Sequence, residues 1–106
     1  MKLEKYFYVY IMTNKYNTVF HTGITADLAT RVFQHKNKEI KGFTSKYNIN
    51  KLVYYEEYDS AYDAILREKQ LKNWHRTWKL NMIKKNNPEF KDLSEEWCKD
   101  NMTPKR

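Results

Sequence analysis

Hydrophobic and aromatic positions run unbroken along residues 6–12, with Phe7, Val9 and Ile11 on one side and Tyr8, Tyr10 and Met12 on the other. This β-branched and aromatic run predicts a strand. Residues 18–23 predict a second strand, with Asn14 to Asn17 as a four-residue hairpin loop. That loop pairs Thr13 with Thr18 and sets Tyr10 opposite His21; a slip of one residue would send the two to opposite faces. Gly23 ends the strand, and Asp27 caps a helix that starts at Leu28. On that helix Leu28, Val32 and His35 share a face, with Arg31 at its edge. Residues 37–50 hold Gly42, Asn48, Asn50 and several lysines and read as an exposed loop, and residues 51–58 as a third strand. Ser60 and Asp63 resemble a capping box opening a helix over 60–74. A last helix runs from His75 or Arg76 to Lys85 and is stopped by Pro88. The order ββαβαα predicts a small α/β (α+β) domain with a three-stranded, mostly antiparallel sheet flanked by helices.

One position breaks the pattern. The apolar stripe of the 60–74 helix reads Ala61, Ala64, Ile65, Glu68, Leu71, so a carboxylate points inward with aliphatic neighbours. A carboxylate taken out of water needs a cation or several donors. Glu68 is therefore a metal ligand, one half of a buried ion pair, or part of a catalytic site.

Composition narrows the classes. The 106 residues make one domain, and 41% hydrophobic with 16% aromatic residues supply a compact core. No stretch approaches a membrane span, and the N-terminus lacks the apolar core of a signal peptide. The single Cys98 excludes an intramolecular disulfide and fits a reducing cytoplasm. The net charge of +7 is unevenly spread. Residues 31–51 carry Arg31, Lys36, Lys38, Lys41, Lys46 and Lys51 against Glu39, and residues 67–85 carry seven cations against Glu68. Acid gathers at Glu56, Glu57, Asp59 and Asp63. A basic half on an otherwise acidic chain is the footprint of a polyanion partner.

Hydrolysis of a nucleic-acid phosphodiester needs a base for water, cations for the pentavalent phosphate, and help for the leaving oxygen. The chain offers Tyr10 and His21 on the hairpin, Arg31 and His35 one helical turn apart, and the inward Glu68. It has no zinc-spaced ligand cluster, no glycine-rich phosphate loop and no Gly-x-Ser-x-Gly elbow. The set fits one divalent ion on a single carboxylate, with water completing a Mg²⁺-like shell.

Tyr8-Val9-Tyr10, His21-Thr22-Gly23, Asp27-Leu28 with Arg31 and His35, and Arg67-Glu68-Lys69-Gln70-Leu71-Lys72 together resemble a GIY-YIG nuclease domain. The likeness is to small stand-alone bacterial members related to the nuclease domain of the bacterial excinuclease. It spans residues 6 to about 93, including Asn87-Pro88-x-Phe90-x-Asp92-Leu93. The resemblance implies one-metal phosphodiester hydrolysis. It gives Tyr10 the tyrosine of the first signature, Arg31 the arginine that stabilises the transition-state phosphate, Glu68 the metal-binding glutamate, and His35 an assisting histidine. Tyr8 replaces a glycine, Thr22 replaces an aliphatic residue, and His21 stands where the family has its general-base tyrosine. Imidazole is a better base than phenol at neutral pH, so His21 either takes over that role or marks a site that has lost it.

The expectation is a domain over 1–93 with a polar tail over 94–106. It acts as a metal-dependent endonuclease in the cytoplasm, using one Mg²⁺ or Mn²⁺ in DNA repair or processing. DNA stands ahead of RNA as substrate, no membrane is involved, and a protein partner is left to supply targeting. Lys36, Lys41, Lys46, Lys69 and Lys72 are the expected phosphate contacts. The alternatives are a nucleic-acid-binding module of the same fold with impaired catalysis and a protein-interaction domain.

Overall fold

The computed structural model describes residues 6–95 and 97. Cys98, most of the polar tail beyond Glu95 and the first five residues, on which the readings of the cysteine and of the N-terminus fall, lie outside the described residues. The elements are β1 Phe7–Thr13, β2 Phe20–Thr25, α1 Leu28–Lys36, α2 Phe43–Lys46, β3 Lys51–Tyr58, α3 Ala61–Asn73 and α4 Arg76–Asn86. The sheet has the order β2-β1-β3, and both pairings are antiparallel. This is the expected ββαβαα domain with one short helix added.

The alternation in β1 divides the core. Tyr8, Tyr10 and Met12 pack with Leu28, Ala29 and Val32 of α1 and with Ile49 and Leu52. Val9 and Ile11 pack with Val53, with Ala64 and Leu71 of α3, and with Ile83 of α4. β3 does not alternate cleanly. Ile11 pairs with Tyr54 and Met12 with Leu52, so Val53 is the extra residue of a bulge. Val53 and Tyr54 then both face the α3 and α4 side.

The hairpin register differs from the expected one. Met12 pairs with His21 and Tyr10 with Gly23, and residues 14–19 form the connection. The cause is Asn14. Its Oδ1 accepts the N–H of Thr18 at 2.8 Å and of Val19 at 3.2 Å, and its Nδ2 donates to the Thr18 hydroxyl at 2.8 Å. Thr18 and Val19 thus belong to the turn. Asn17 takes a left-handed φ of 57° within it. The displacement amounts to two residues, an even number, so Tyr10 and His21 keep a common face.

Two helix starts follow the sequence. Asp27 Oδ1 accepts the Thr30 N–H at 3.2 Å, and Ser60 Oγ accepts that of Asp63 at 3.3 Å. The α3 stripe is narrower than expected, because Ala61 is exposed and Ile65 is 43% exposed. The buried line runs through Ala64 and Leu71, with Arg67 and Glu68 half-buried between them. These adjacent residues lie about 100° apart around the axis and serve different neighbours. Arg67 grips Glu56 of β3 through Nε at 2.9 Å and Nη2 at 2.9 Å, while Tyr54 and Tyr58 also donate to that carboxylate. Trp74 is half-buried beneath the Arg67 guanidinium, whereas Trp78 is 54% exposed, so only one of the i, i+4 tryptophans joins the core.

The segment after α4 is stapled to β3. Asn87 Nδ2 donates to the carbonyls of Val53 at 3.1 Å and Lys91 at 2.9 Å. Asp92 accepts the Leu52 N–H at 3.3 Å and the Ser94 hydroxyl at 2.6 Å, and pairs with Lys36. The stretch read as a polar tail opens with two buried side chains, Ser94 and Trp97, the latter edge-on to Tyr55.

A candidate catalytic cleft

Tyr10 is 2% exposed and extends along the sheet toward α1. Its ring crosses β2 above Gly23, where a Cβ would stand 2.4 Å from the phenol oxygen. Only glycine leaves that path open. The hydroxyl then meets His35 Nε2 at 3.2 Å, and His35 Nδ1 meets the Thr44 hydroxyl at 3.1 Å. Tyr10, His35 and Thr44 are all buried, so each member of this chain satisfies the next.

His21 completes an aromatic triangle. Its ring centroid lies 5.9 Å from that of Tyr10 and 5.3 Å from that of His35, and the Tyr10 and His35 centroids are 6.0 Å apart. These three and Arg31 line a cleft of about 260 Å³ together with Ile40, Lys41, Phe43 and Thr44. α3 packs against β1 and β2 and brings Glu68 close enough for its charge to act on both Tyr10 and His21.

The electrostatics give each group a definite state. Burial pushes the Tyr10 phenol up to about 12, with Arg31 opposing and Glu68 adding to the rise. Burial also lowers His21, helped by Lys72 and Arg31 and resisted by Glu68. His35 falls to about 4 through burial, with His21 and Arg31 adding. At neutral pH the cleft therefore holds a protonated phenol and two neutral imidazoles. A protonated Tyr10 can donate to His35 Nε2 while Nδ1–H donates to Thr44. His21 makes no such side-chain hydrogen bond among the described residues and keeps a lone pair for a proton.

Of the three roles open to Glu68, the ion pair is present: Lys72 Nζ lies 2.7 Å from Oε2, one helical turn away. The Glu68 side chain is only 14% accessible and that of Lys72 54%, so the lysine is the partner free to swing away. Among the described residues no group of three His, Cys, Asp or Glu side chains is placed to hold a metal ion. A metal here would rest on one hard carboxylate oxygen donor, which suits an ion that keeps most of its water.

The structure scatters the expected phosphate contacts. Lys41 lines the cleft and Lys72 sits on Glu68. Lys46 lies over the Tyr47 ring, 5.5 Å from its centroid, and Lys69 is exposed on α3. Lys36 instead pairs with Asp92, and its side chain is 25% accessible. Tyr8 reaches Glu57 Oε2 at 3.3 Å and packs edge-on to Tyr55, outside the residues that line the cleft. Sequence reasoning passed over Thr44 and Phe43, because residues 37–50 looked like a loop. Their signal was the i, i+4 aromatic spacing of Phe43 and Tyr47.

A family model described as the GIY-YIG catalytic domain matches residues 6–81. The chain belongs to the GIY-YIG family. A UPF0213 protein of Pediococcus pentosaceus is 32% identical over 80 residues, covering 76% of this chain and 83% of the relative. A UPF0213 protein of Staphylococcus saprophyticus is 32% identical over 76 residues, covering 72% and 92%. The solution structure of a UPF0213 protein from Bacillus halodurans shares the fold with a TM-score of 0.54 at 22% identity, over 85% of this chain and 95% of that one. The GIY-YIG signatures of this chain thus sit on β1 and β2, with Gly23 as the close-approach position. Among the described residues no helix is long and apolar enough to cross a membrane.

Proposed function

We propose that this GIY-YIG protein hydrolyses phosphodiester bonds of nucleic acid, DNA ahead of RNA, in the cleft between β1, β2 and α1. One observation carries the reading: Tyr10, His21, Arg31 and His35, from three separate elements, line a single cleft. A basic chain with net charge +7 favours a polyanionic substrate.

In this reading Arg31 holds the non-bridging oxygens of the scissile phosphate. Water attacks phosphorus; its proton passes to neutral His21 as the new P–O bond forms and the bond to the leaving oxygen breaks. Tyr10, kept protonated by burial, donates a hydrogen bond toward the reacting oxygens or to His35. His35 and Thr44 fix the phenol in place. Glu68 would hold a Mg²⁺ or Mn²⁺ ion after Lys72 yields. When bound, such an ion supplies positive charge to the phosphate and the leaving oxygen. Lys41 and Lys72 would add contacts to neighbouring phosphates. A role in DNA processing in the cytoplasm and targeting by a protein partner follow as parts of this proposal.

The test is cleavage of a panel of DNA and RNA substrates with either metal, wild type against His21→Ala, Arg31→Ala and Glu68→Gln. Absence of cleavage on every substrate refutes it. A second reading, a binding module without turnover, draws on His21 in place of tyrosine and on the Lys72–Glu68 pair. It expects salt-dependent binding without hydrolysis, and cleavage regained by His21→Tyr.

A further inference from the structure

We propose that residues 41–47 seat an unpaired nucleotide base beside the cleft, so that single-stranded or locally unpaired nucleic acid is the substrate class. The inference rests on the nuclease reading for its context and on the following geometry for its content.

α2 is anchored on one side and open on the other. Thr44 is 5% exposed and holds His35, and Ile49 is fully buried. Phe43 and Tyr47 remain 52% and 41% exposed. Their ring centroids lie 4.9 Å apart with planes tilted by 51°. The Lys46 ammonium lies 5.5 Å from the centroid of the Tyr47 ring, and Lys41 shares the cleft wall with Phe43. Gly42 enters the helix with φ 112°, and a Cβ there would meet nothing within 4 Å. Lys38 and Asn48 take left-handed φ values of 56° and 55° on either side of the segment. The turn thus sets Phe43 and Lys41 in the lining of the cleft that holds Arg31 and His21, with the Tyr47 ring against Phe43 and the Lys46 ammonium over Tyr47.

Exposed rings interleaved with lysines are the elements of single-strand recognition. Aromatic faces stack on bases without reading their edges, and the cations follow the backbone. An intact duplex covers its base faces, so the platform has a partner only where a base is unstacked. Phe43 lines the same cleft as Arg31, so a base on Phe43 belongs to a nucleotide next to the phosphate that Arg31 would hold.

The experiment uses Glu68→Gln protein in EDTA, with an oligodeoxynucleotide carrying 2-aminopurine, single-stranded or annealed to its complement. The expected result is tighter binding of the single strand by tenfold or more, with quenching of the 2-aminopurine. Phe43→Ala/Tyr47→Ala should lose the quenching and tenfold or more of that affinity, the size of one lost base stack, while duplex binding stays within about twofold. Phe43→Leu/Tyr47→Leu, which keeps apolar bulk without the rings, should fail in the same way. Equal affinity for both forms, or quenching that survives either double variant, overturns the proposal. Full single-strand binding by the Leu pair overturns it as well, since apolar bulk without rings would then suffice. Binding is read without turnover, so failure of the nuclease reading leaves this result interpretable.

Discussion

The phenol of Tyr10 lies across Gly23, its register partner on β2, with its oxygen 2.4 Å from where a Cβ would be. The signature glycine therefore sets the position of the signature tyrosine. Gly23→Ala should displace the ring, break its bond to His35, and destabilise the fold by about 1–3 kcal/mol, as overpacking does. Urea denaturation measures this. Adding Tyr10→Ala should recover part of the stability of the Gly23→Ala variant but none of its activity.

His35 gives a pH dependence with a definite sign. Its folded pKa of about 4 lies below its ordinary value, so the unfolded chain binds the extra proton first. The His35 contribution is complete above about pH 6.5 and is lost as pH falls toward 4, by roughly 3 kcal/mol. His35→Gln should flatten that part of the stability curve measured by denaturant titration between pH 7 and 4. An equally steep curve in the variant assigns the effect to other groups.

His21 is lowered by burial and by Lys72, so catalysis that uses it as base should have its acid limb below pH 6.5 and stay flat through neutrality. His21→Tyr, with a phenol near 10 as base, should move that limb to alkaline pH. A pH–rate profile distinguishes the two. An unchanged limb in His21→Tyr removes His21 from the proton transfer.

Arg67 and Glu56 form a half-buried pair remote from the cleft lining, with two tyrosine hydroxyls on the same carboxylate. Arg67→Ala leaves that carboxylate without its cation and should cost about 2–4 kcal/mol. Activity per folded molecule should fall far less than in Arg31→Ala. Circular dichroism with single-turnover kinetics separates stability from chemistry.

The strands, the caps at Asp27 and Ser60, and the faces of β1 were legible because each is written in local spacing. That Tyr10, His21, Arg31 and His35 would lie near one another was legible from the same spacing together with the family resemblance, and these four line one cleft. Tyr10 and His21 stayed on one face even though Asn14 moved the register by two. What was hidden depends on contacts distant in sequence. Val53 bulges because both it and Tyr54 face the α3 and α4 side. Thr44 matters because His35 needs an Nδ1 partner. Asn87 matters because it ties the end of α4 to Val53. Lys36 looked like any other lysine until Asp92 claimed it.

The most direct test of the account is cleavage by Glu68→Gln. The substitution keeps the shape of a side chain that is 14% accessible and removes its charge. The wild type should cut single-stranded or unpaired DNA in Mg²⁺ or Mn²⁺. Glu68→Gln, folded and still binding the same DNA, should be slower by about a thousandfold, the size of effect seen when a preorganised charge is lost from a site. Equal cleavage by the two proteins contradicts the central claim.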